Sequence, residues 1–222
     1  LVIETVREGE MSYWVFHALF GRRVNDALSR AYAFALGRLL HKDIDILLSD
    51  NGFALVFHGK ASPEKLMGAV HSWEFRKILE VALRESEVLR RRFRHCATRA
   101  LMILRNYRGR TKSVGRQQMS SRLLLSAVMR LNENFSILKE ARREVMEDLM
   151  DITHAHEIVT ALEQGMMGTK ITPLESFSPF AFSLIAQGHH DTVKMEDRLS
   201  FIKRMHEKVL VQVESKVKAK AK

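Results

Sequence analysis

The sequence Ile44-Asp45-Ile46-Leu47-Leu48-Ser49-Asp50-Asn51-Gly52-Phe53-Ala54-Leu55-Val56-Phe57 consists of two apolar runs separated by Asp50-Asn51-Gly52. Asn-Gly between two such runs is a strong hairpin signal, because both residues accept the positive φ angles of a tight turn. Upstream, the β-branched and aromatic runs 1–6 and 12–19 flank a polar turn with Gly9, which predicts a second hairpin. Between the hairpins, apolar residues recur at helical spacing up to about Leu40. Residues 1–59 thus predict a ββαββ unit, a small antiparallel sheet with one helix on a face.

From residue 62 onward the pattern is mostly helical. Ser62-Pro63 is typical of a helix start, in which a capping side chain is followed by proline in the first turn. The periodicity predicts these helices: Trp73 to Leu83, Ser86 to Asn106, a helix after Arg116, Ile137 to Leu162 and Asp197 to Val213. Between the last two, Lys170 to Leu174 is a short extended piece, and Ser178-Pro179-Phe180-Ala181 begins a brief helical turn.

The fold class predicted by these patterns is α+β, with a small antiparallel sheet (ββαββ) followed by a mostly helical body. We divide the chain into a small sheet subdomain with one helix (1–60), a helical body (61–213) and a basic disordered tail (214–222). The boundary near residue 60 need not separate independent domains.

The composition excludes several classes of protein. Apolar residues make up 46% of the chain, enough for a sizeable core, and the single cysteine rules out an intramolecular disulfide. No run approaches the roughly 20 apolar residues of a membrane span, and no signal peptide is visible. We therefore expect a cytoplasmic protein without a membrane partner. The chain opens at Leu1 rather than at methionine, so we expect a fragment of a longer chain or a processed protein.

Positive charge is concentrated between Arg84 and Arg116. This stretch holds eleven basic and two acidic side chains, a net charge of +9, and the whole chain carries +10. Guanidinium groups bind phosphate through two parallel hydrogen bonds, and the glycine-containing loop at 108–116 can follow a polymer backbone. The stretch predicts an interface for an anionic polymer. The alternative is a solvated helix face.

Eight candidate residues for binding nucleic acid follow from this charge: Arg92, Arg94, Arg99, Arg105, Arg108, Arg110, Lys112 and Arg116. Arg92 and Arg99 lie seven residues apart at the edge of an apolar helix face, so a structural role stays open for both. Tyr107 either stacks on a base or packs against the fold. Phosphate contacts of this kind provide affinity and position rather than sequence readout.

The sequence predicts no catalytic centre and no metal site. The signature motifs of P-loop, dinucleotide-binding and α/β-hydrolase enzymes are absent. The nearest approach to a metal cluster is His154-Ala155-His156-Glu157, but histidines two positions apart on a helix face different sides. The default for His189-His190-Asp191 is a solvated loop. Cys96 lies on an apolar helix face, where we expect a buried and inert thiol.

Several motifs resemble those of one family. Cys96-Ala97-Thr98-Arg99-Ala100-Leu101, preceded by Arg92-Phe93-Arg94, is similar to a motif in the DEAD/DEAH-associated domain of the large helicase-related (Lhr) proteins, ATP-dependent helicases of superfamily 2. His17-Ala18-Leu19-Phe20-Gly21-Arg22-Arg23-Val24-Asn25 resembles the family's strand-to-helix segment. Four further pieces resemble family motifs in the same order: Asp50-Asn51-Gly52-Phe53, Gln117-Gln118-Met119, Glu140 with Arg143-Glu144, and Ser178-Pro179-Phe180-Ala181. The matches span about residues 1–205.

The resemblance implies an accessory domain of a 3′-to-5′ nucleic-acid translocase, not an enzyme on its own. It implies ATP and Mg²⁺ in the motor domains of a parent protein and no cofactor in this chain. The implied partners are single-stranded DNA or RNA and the motor and winged-helix domains of the parent helicase, with a role in DNA repair. We expect the arginine-rich helix and loop to help hold the strand. The alternative is a structural module that braces the motor domains without binding nucleic acid itself.

Overall fold

The computed structural model describes residues 1–104, 106–107, 109–186, 206–207 and 210–211. Its elements follow in this order: β1 (Val2–Glu8), β2 (Met11–His17), α1 (Arg22–Leu40), β3 (Asp45–Ser49), β4 (Gly52–His58), α2 (Pro63–Met67), α3 (Ser72–Leu83), α4 (Glu87–Arg99), β5 (Asn106–Tyr107), β6 (Arg110–Thr111), α5 (Val114–Leu131), α6 (Ser136–Arg143), a π-helix (Glu144–Leu149), α7 (Ile152–Glu163) and β7 (Lys170–Leu174). Residues 182–186 are also helical. The predicted helix from Asp197 to Val213 lies mostly outside the described residues, and the predicted tail, 214–222, lies entirely outside them. Within the described ranges, no helix is long and apolar enough to cross a bilayer.

Five strands form a mostly antiparallel sheet in the order β3-β4-β2-β1-β7. β1 pairs with β2, and β3 pairs with β4, which confirms both predicted hairpins. β2 joins the hairpins by pairing with β4, and β7 adds parallel to β1. The α+β class is therefore confirmed, and the sheet gains a fifth strand from a piece that the sequence marks only as extended.

The main core lies between the sheet and the helices. Phe16 stacks on Phe53 with ring centroids 4.4 Å apart, and on Tyr32 of α1 with centroids 5.8 Å apart. The same apolar cluster continues without a break through α3, α4, α6 and α7. Each large side chain buried in this way contributes about 1.5–3 kcal/mol relative to its exposed state.

The opposite face of the sheet is covered by the segment that follows β7. Phe177, Ala181 and Ile185 form a second, smaller apolar cluster with Val6 and Val15. Side chains alternate between the two faces of a strand, so β2 directs Trp14 and Phe16 to the main core and Val15 to this one. Residues 177–185 thus cover the second face of the sheet.

The helix predicted from Ser86 to Asn106 ends earlier, at Arg99. Met102 N donates to Ala97 O at 2.9 Å, and Leu101 N donates to Thr98 O at 3.1 Å, the hydrogen-bond pattern of a Schellman cap. Leu101 occupies the left-handed position of this cap, with φ 59°. The apolar periodicity runs on through Ile103, which is buried without being helical.

The single helix predicted from Ile137 to Leu162 is divided into α6, the π-helix and α7. Arg23 fixes the division, because its guanidinium donates to Glu147 O at 2.7 Å and to Met150 O at 3.1 Å. Asp151 then caps the start of α7, and its side chain accepts a hydrogen bond from His154 N.

Candidate nucleic-acid interface

α4 carries the first half of the basic stretch and fixes its orientation. Ser86 caps the helix by accepting a hydrogen bond from Leu89 N at 3.2 Å. Leu89, Phe93 and Ala97 are fully buried against the body. Because these side chains occupy one face, the arginines of α4 are divided between two other sides, one towards the π-helix and one towards α5.

On the first side, Arg92 and Arg99 converge on Glu144, the first residue of the π-helix. Arg92 Nη1 lies 3.2 Å from Glu144 Oε2, and Arg99 Nη2 donates to Glu144 Oε1. Burial raises the pKa of the Glu144 carboxyl, but the hydrogen bond and charge of Arg99 and the charge of Arg92 outweigh it, so this pKa lies below its ordinary value. Both arginines therefore neutralise a buried carboxylate.

The thiol next to this ion pair is unsuited to nucleophilic chemistry. Cys96 is 4% exposed, and Arg99 Nη2 lies 3.3 Å from its Sγ. Burial raises the pKa of the Cys96 thiol, which keeps the less reactive protonated form. His154 pairs with Asp151, with 2.8 Å between Nδ1 and Oδ2. Among the described residues, no group of three His, Cys, Asp or Glu side chains is placed to hold a metal ion.

On the second side, Arg94 is partly buried next to α5. It pairs with no carboxylate among the described residues, in contrast to Arg92 and Arg99. A partly buried cation without a counter-ion favours the binding of an external anion.

The second half of the basic stretch is a two-stranded ribbon. β5 and β6 pair antiparallel, with Asn106 opposite Thr111, and Gly109 has φ 74° in the turn between them. Arg105 and Arg108 lie outside the described residues. The predicted glycine-containing loop at 108–116 therefore comprises β6 and the first turn of α5.

The start of α5 carries the last two candidates. Ser113 caps the helix through its side chain, which accepts from Arg116 N at 3.5 Å. The Arg116 side chain is exposed, and Lys112, which precedes the cap, is partly buried. The chain thus presents both cations where it leaves the ribbon.

The structure thus separates the predicted residues into distinct groups. Arg92 and Arg99 meet at Glu144, Arg94 faces α5, and Lys112 and Arg116 flank the α5 cap. The sequence analysis missed three side chains that share the Arg94 cleft: Arg90, Gln118 and Arg122. One sequence feature could have identified them: residues 90 and 94, and residues 118 and 122, lie four positions apart, so each pair lies along one side of its helix.

Comparison with known proteins identifies the family. Residues 1–181 match the family model described as DEAD/H associated. The chain belongs to this family. It is 48% identical over 205 residues to the ATP-dependent helicase Lhr-Core of Methanothermobacter thermautotrophicus, which covers 92% of this chain and 24% of the relative. It is 38% identical to the ATP-dependent helicase Lhr-Core of Sulfolobus acidocaldarius, over 95% of this chain and 24% of the relative.

A solved structure also resembles this DEAD/H-associated domain. The Mycobacterium smegmatis helicase Lhr bound to ssDNA and AMP-PNP superimposes with a TM-score of 0.72 and 25% sequence identity. The match covers 82% of this chain and 23% of the helicase chain. The DEAD/H-associated domain described here therefore spans about a quarter of the length of the relatives that it matches.

The family motif at residues 17–25 connects β2 to α1 within the DEAD/H-associated domain. Gly21 precedes α1 with φ 86°, a left-handed conformation that favours glycine. The Asn25 side-chain amide donates to Ala18 O at 2.9 Å, Ser49 O at 3.2 Å and Asp50 O at 3.1 Å. It therefore ties the start of α1 to the ends of β2 and β3.

Family motifs that are distant in sequence meet in space. Arg99 of the motif at residues 96–101 pairs with Glu144 of the motif at residues 140–144. Ser178 N lies 3.4 Å from Glu4 Oε2, and the other oxygen of Glu4 lies 2.9 Å from His17 Nε2. Burial raises the pKa of Glu4, but hydrogen bonds from His17 and Ser178 bring it below its ordinary value. These motif residues hold elements of the DEAD/H-associated domain together.

Proposed function

We propose that this chain is the accessory, non-catalytic domain of an Lhr-type ATP-dependent 3′-to-5′ helicase and helps to hold the nucleic-acid strand. The relatives named ATP-dependent helicase Lhr-Core, and the ssDNA-bound Lhr structure, support this assignment. ATP and Mg²⁺ bind elsewhere in the longer protein. The strand contacts come from the arginine-rich helix α4 and from the ribbon that follows it.

The observation that carries this proposal is a group of arginines on α4 and α5 that have no ion-pair partner among the described residues. Arg94, Arg116 and Arg122 form no ion pair with any described residue, whereas other arginines of the described part of the chain form ten ion pairs with carboxylates. All three lie on α4 and α5, the helices connected by the ribbon. Free guanidinium groups on two helices in contact attract phosphate backbones.

The experiment measures binding of a labelled single-stranded oligonucleotide to the chain by fluorescence anisotropy over a range of salt concentrations. Replacement of Arg105, Arg108 and Arg110 by alanine removes three positive charges from residues 105–110. If each arginine contacts one phosphate, the slope of log K against log salt becomes flatter by roughly 2, since each lost contact on a single strand contributes roughly 0.7.

The matched control replaces Lys65, Lys77 and Lys139, three exposed lysines on α2, α3 and α6, by alanine. It removes the same charge and is expected to leave the slope almost unchanged. Equal slopes for the two triple variants would show that overall charge, and not the ribbon, determines binding. A wild-type chain without strand affinity would refute the proposal.

Two observations favour a second candidate, a domain that braces the motor domains. Arg84 pairs with Glu133 at 2.6 Å, and Arg92 and Arg99 pair with Glu144, so part of the basic charge is neutralised within the fold. In addition, Trp73 is 76% exposed near the start of α3. This candidate predicts no strand affinity for the chain alone, but saturable binding to a motor-domain fragment that weakens on Trp73→Ala.

A further inference from the structure

The cleft between α4 and α5 contains an unusual excess of guanidinium groups. Arg90 and Arg94 form one wall from α4, and Gln118 and Arg122 form the other from α5. Ser121 and Leu125, which are 4% and 5% exposed, form the floor. The cleft has a volume of about 50 Å³, more than the roughly 10–15 Å³ that one water molecule needs.

The charges in this cleft are poorly balanced. The cleft is lined by three guanidinium groups and by one carboxylate, that of Glu87, which lies 3.8 Å from Arg90 and is 61% exposed. An ion pair at that distance and exposure is weak. Arg94 and Arg122 have no described carboxylate partner, whereas Arg92 and Arg99 on the other side of α4 share the buried Glu144. The fold thus gives Arg92 and Arg99 a buried carboxylate partner and gives Arg94 and Arg122 none among the described residues.

We propose that the cleft between α4 and α5 binds one backbone phosphate of the nucleic-acid strand, held between Arg94 and Arg122. Two guanidinium groups on facing helices direct N–H donors at a tetrahedral anion from opposite sides. The Gln118 amide and the Ser121 hydroxyl supply uncharged donors at the same place. This inference rests on the proposed strand-holding function and adds a specific position for one phosphate.

The test uses the 222-residue chain and single-stranded DNA, with the variants Arg94→Ala, Arg122→Ala and the double variant. Alanine maintains helix propensity, and thermal unfolding confirms that each variant is folded. If both arginines hold the same phosphate, the double variant loses one contact. Its log–log salt slope then becomes flatter by roughly 0.7, and not by the roughly 1.4 expected for two independent contacts.

A control variant and the wild-type chain decide between the possible outcomes. The double control variant Arg7→Ala with Arg38→Ala removes two exposed arginines from β1 and α1 and is expected to leave the slope unchanged. A slope change near 1.4 in the cleft variant, or one equal to that of the control, overturns the shared-phosphate cleft while the strand-holding function remains supported. Absence of strand binding by the wild-type chain overturns both proposals together.

Free inorganic phosphate is the other source of the same chemistry. Thermal unfolding is therefore compared in potassium phosphate and in potassium chloride at equal ionic strength. If phosphate raises Tm in the wild type but not in the double variant, and the strand-binding slopes of the two are equal, the cleft is a site for the free anion. That outcome overturns its assignment to the strand.

Discussion

Asn25 shows how one residue can join several elements. Its amide donates to three backbone carbonyls, at Ala18, Ser49 and Asp50, and the residue is completely buried. The first carbonyl lies seven residues away and the other two lie 24 and 25 residues away. The hairpins that Asn25 connects were predictable because turn residues act locally. The role of Asn25 itself was not, because polar residues at a helix start are common and its partners become adjacent only in the folded sheet.

Glu144 makes a testable contribution to stability. Its pKa lies below the ordinary value of 4.5, so the folded protein binds this proton more weakly than the unfolded chain does. Its ion pairs therefore stabilise the fold fully above about pH 4.5, and the contribution is lost as pH falls through the folded pKa. We expect Glu144→Gln to lower the free energy of unfolding by about 1–2 kcal/mol at neutral pH, a value reduced by the solvent exposure of Arg99.

Urea denaturation at several pH values measures this difference. The gap between wild type and Glu144→Gln should narrow as the solution is acidified. Glu85→Gln, which removes an exposed carboxylate one residue after Arg84, serves as the control and should be nearly neutral throughout. A gap that is constant with pH would mean that the carboxylate charge of Glu144 adds no stability.

Among the elements, the end of α4 was the least predictable. The apolar repeat continues through Ile103, so the sequence predicts helix up to Asn106, but the chain turns after Arg99 in a Schellman cap. Glycine is the usual residue at the left-handed position of this cap, and leucine is there instead. The sequence therefore has no glycine to indicate this turn. The burial of Ile103 in the core determines where the helix ends.

This cap leads to a prediction about Leu101. The residue has φ 59° and is 73% exposed, so Leu101→Gly relieves backbone strain and loses little buried area. We expect the substitution to stabilise the protein by up to about 1 kcal/mol in thermal or urea unfolding. Leu123, which is 66% exposed within α5, provides the comparison: Leu123→Gly should destabilise by about 1 kcal/mol. Destabilisation by both substitutions would contradict the strain at Leu101.

The π-helix was also not predictable from the helical repeat of apolar residues. Residues 137–162 read as one amphipathic helix, yet Arg23 binds the carbonyls of Glu147 and Met150 from 124 and 127 residues away. Such an insertion depends on a partner from another part of the chain. Glu144, the first residue of the π-helix, contacts Arg92 and Arg99 of α4. Because the sequence did not predict the π-helix, it did not reveal this shared carboxylate, and both arginines were predicted as binding residues.

At the scale of the whole molecule, the strand that follows the helical body pairs with the first strand of the chain. β7, from the end of the helical body, pairs with β1, and the main core extends from Ile3 in the sheet to Val159 in α7. The α+β class was predictable from turn signals and helical periodicity, because both are local. The parallel pairing of β7 was not, because Lys170–Leu174 contains a proline and no pattern that specifies its partner.

From the shared core and this strand pairing, we predict that the regions 1–60 and 61–213 unfold together. Their shared core and the pairing of β1 with β7 oppose the unfolding of one region alone. Trp73→Phe leaves Trp14, which is 3% exposed in the sheet, as the only tryptophan of the chain. Tryptophan fluorescence then reports on the sheet, and far-ultraviolet circular dichroism reports mainly on the helices. We expect the two urea transitions of this variant to coincide. If the fluorescence transition occurred at a different urea concentration from the helical one, the boundary near residue 60 would separate independent folding units.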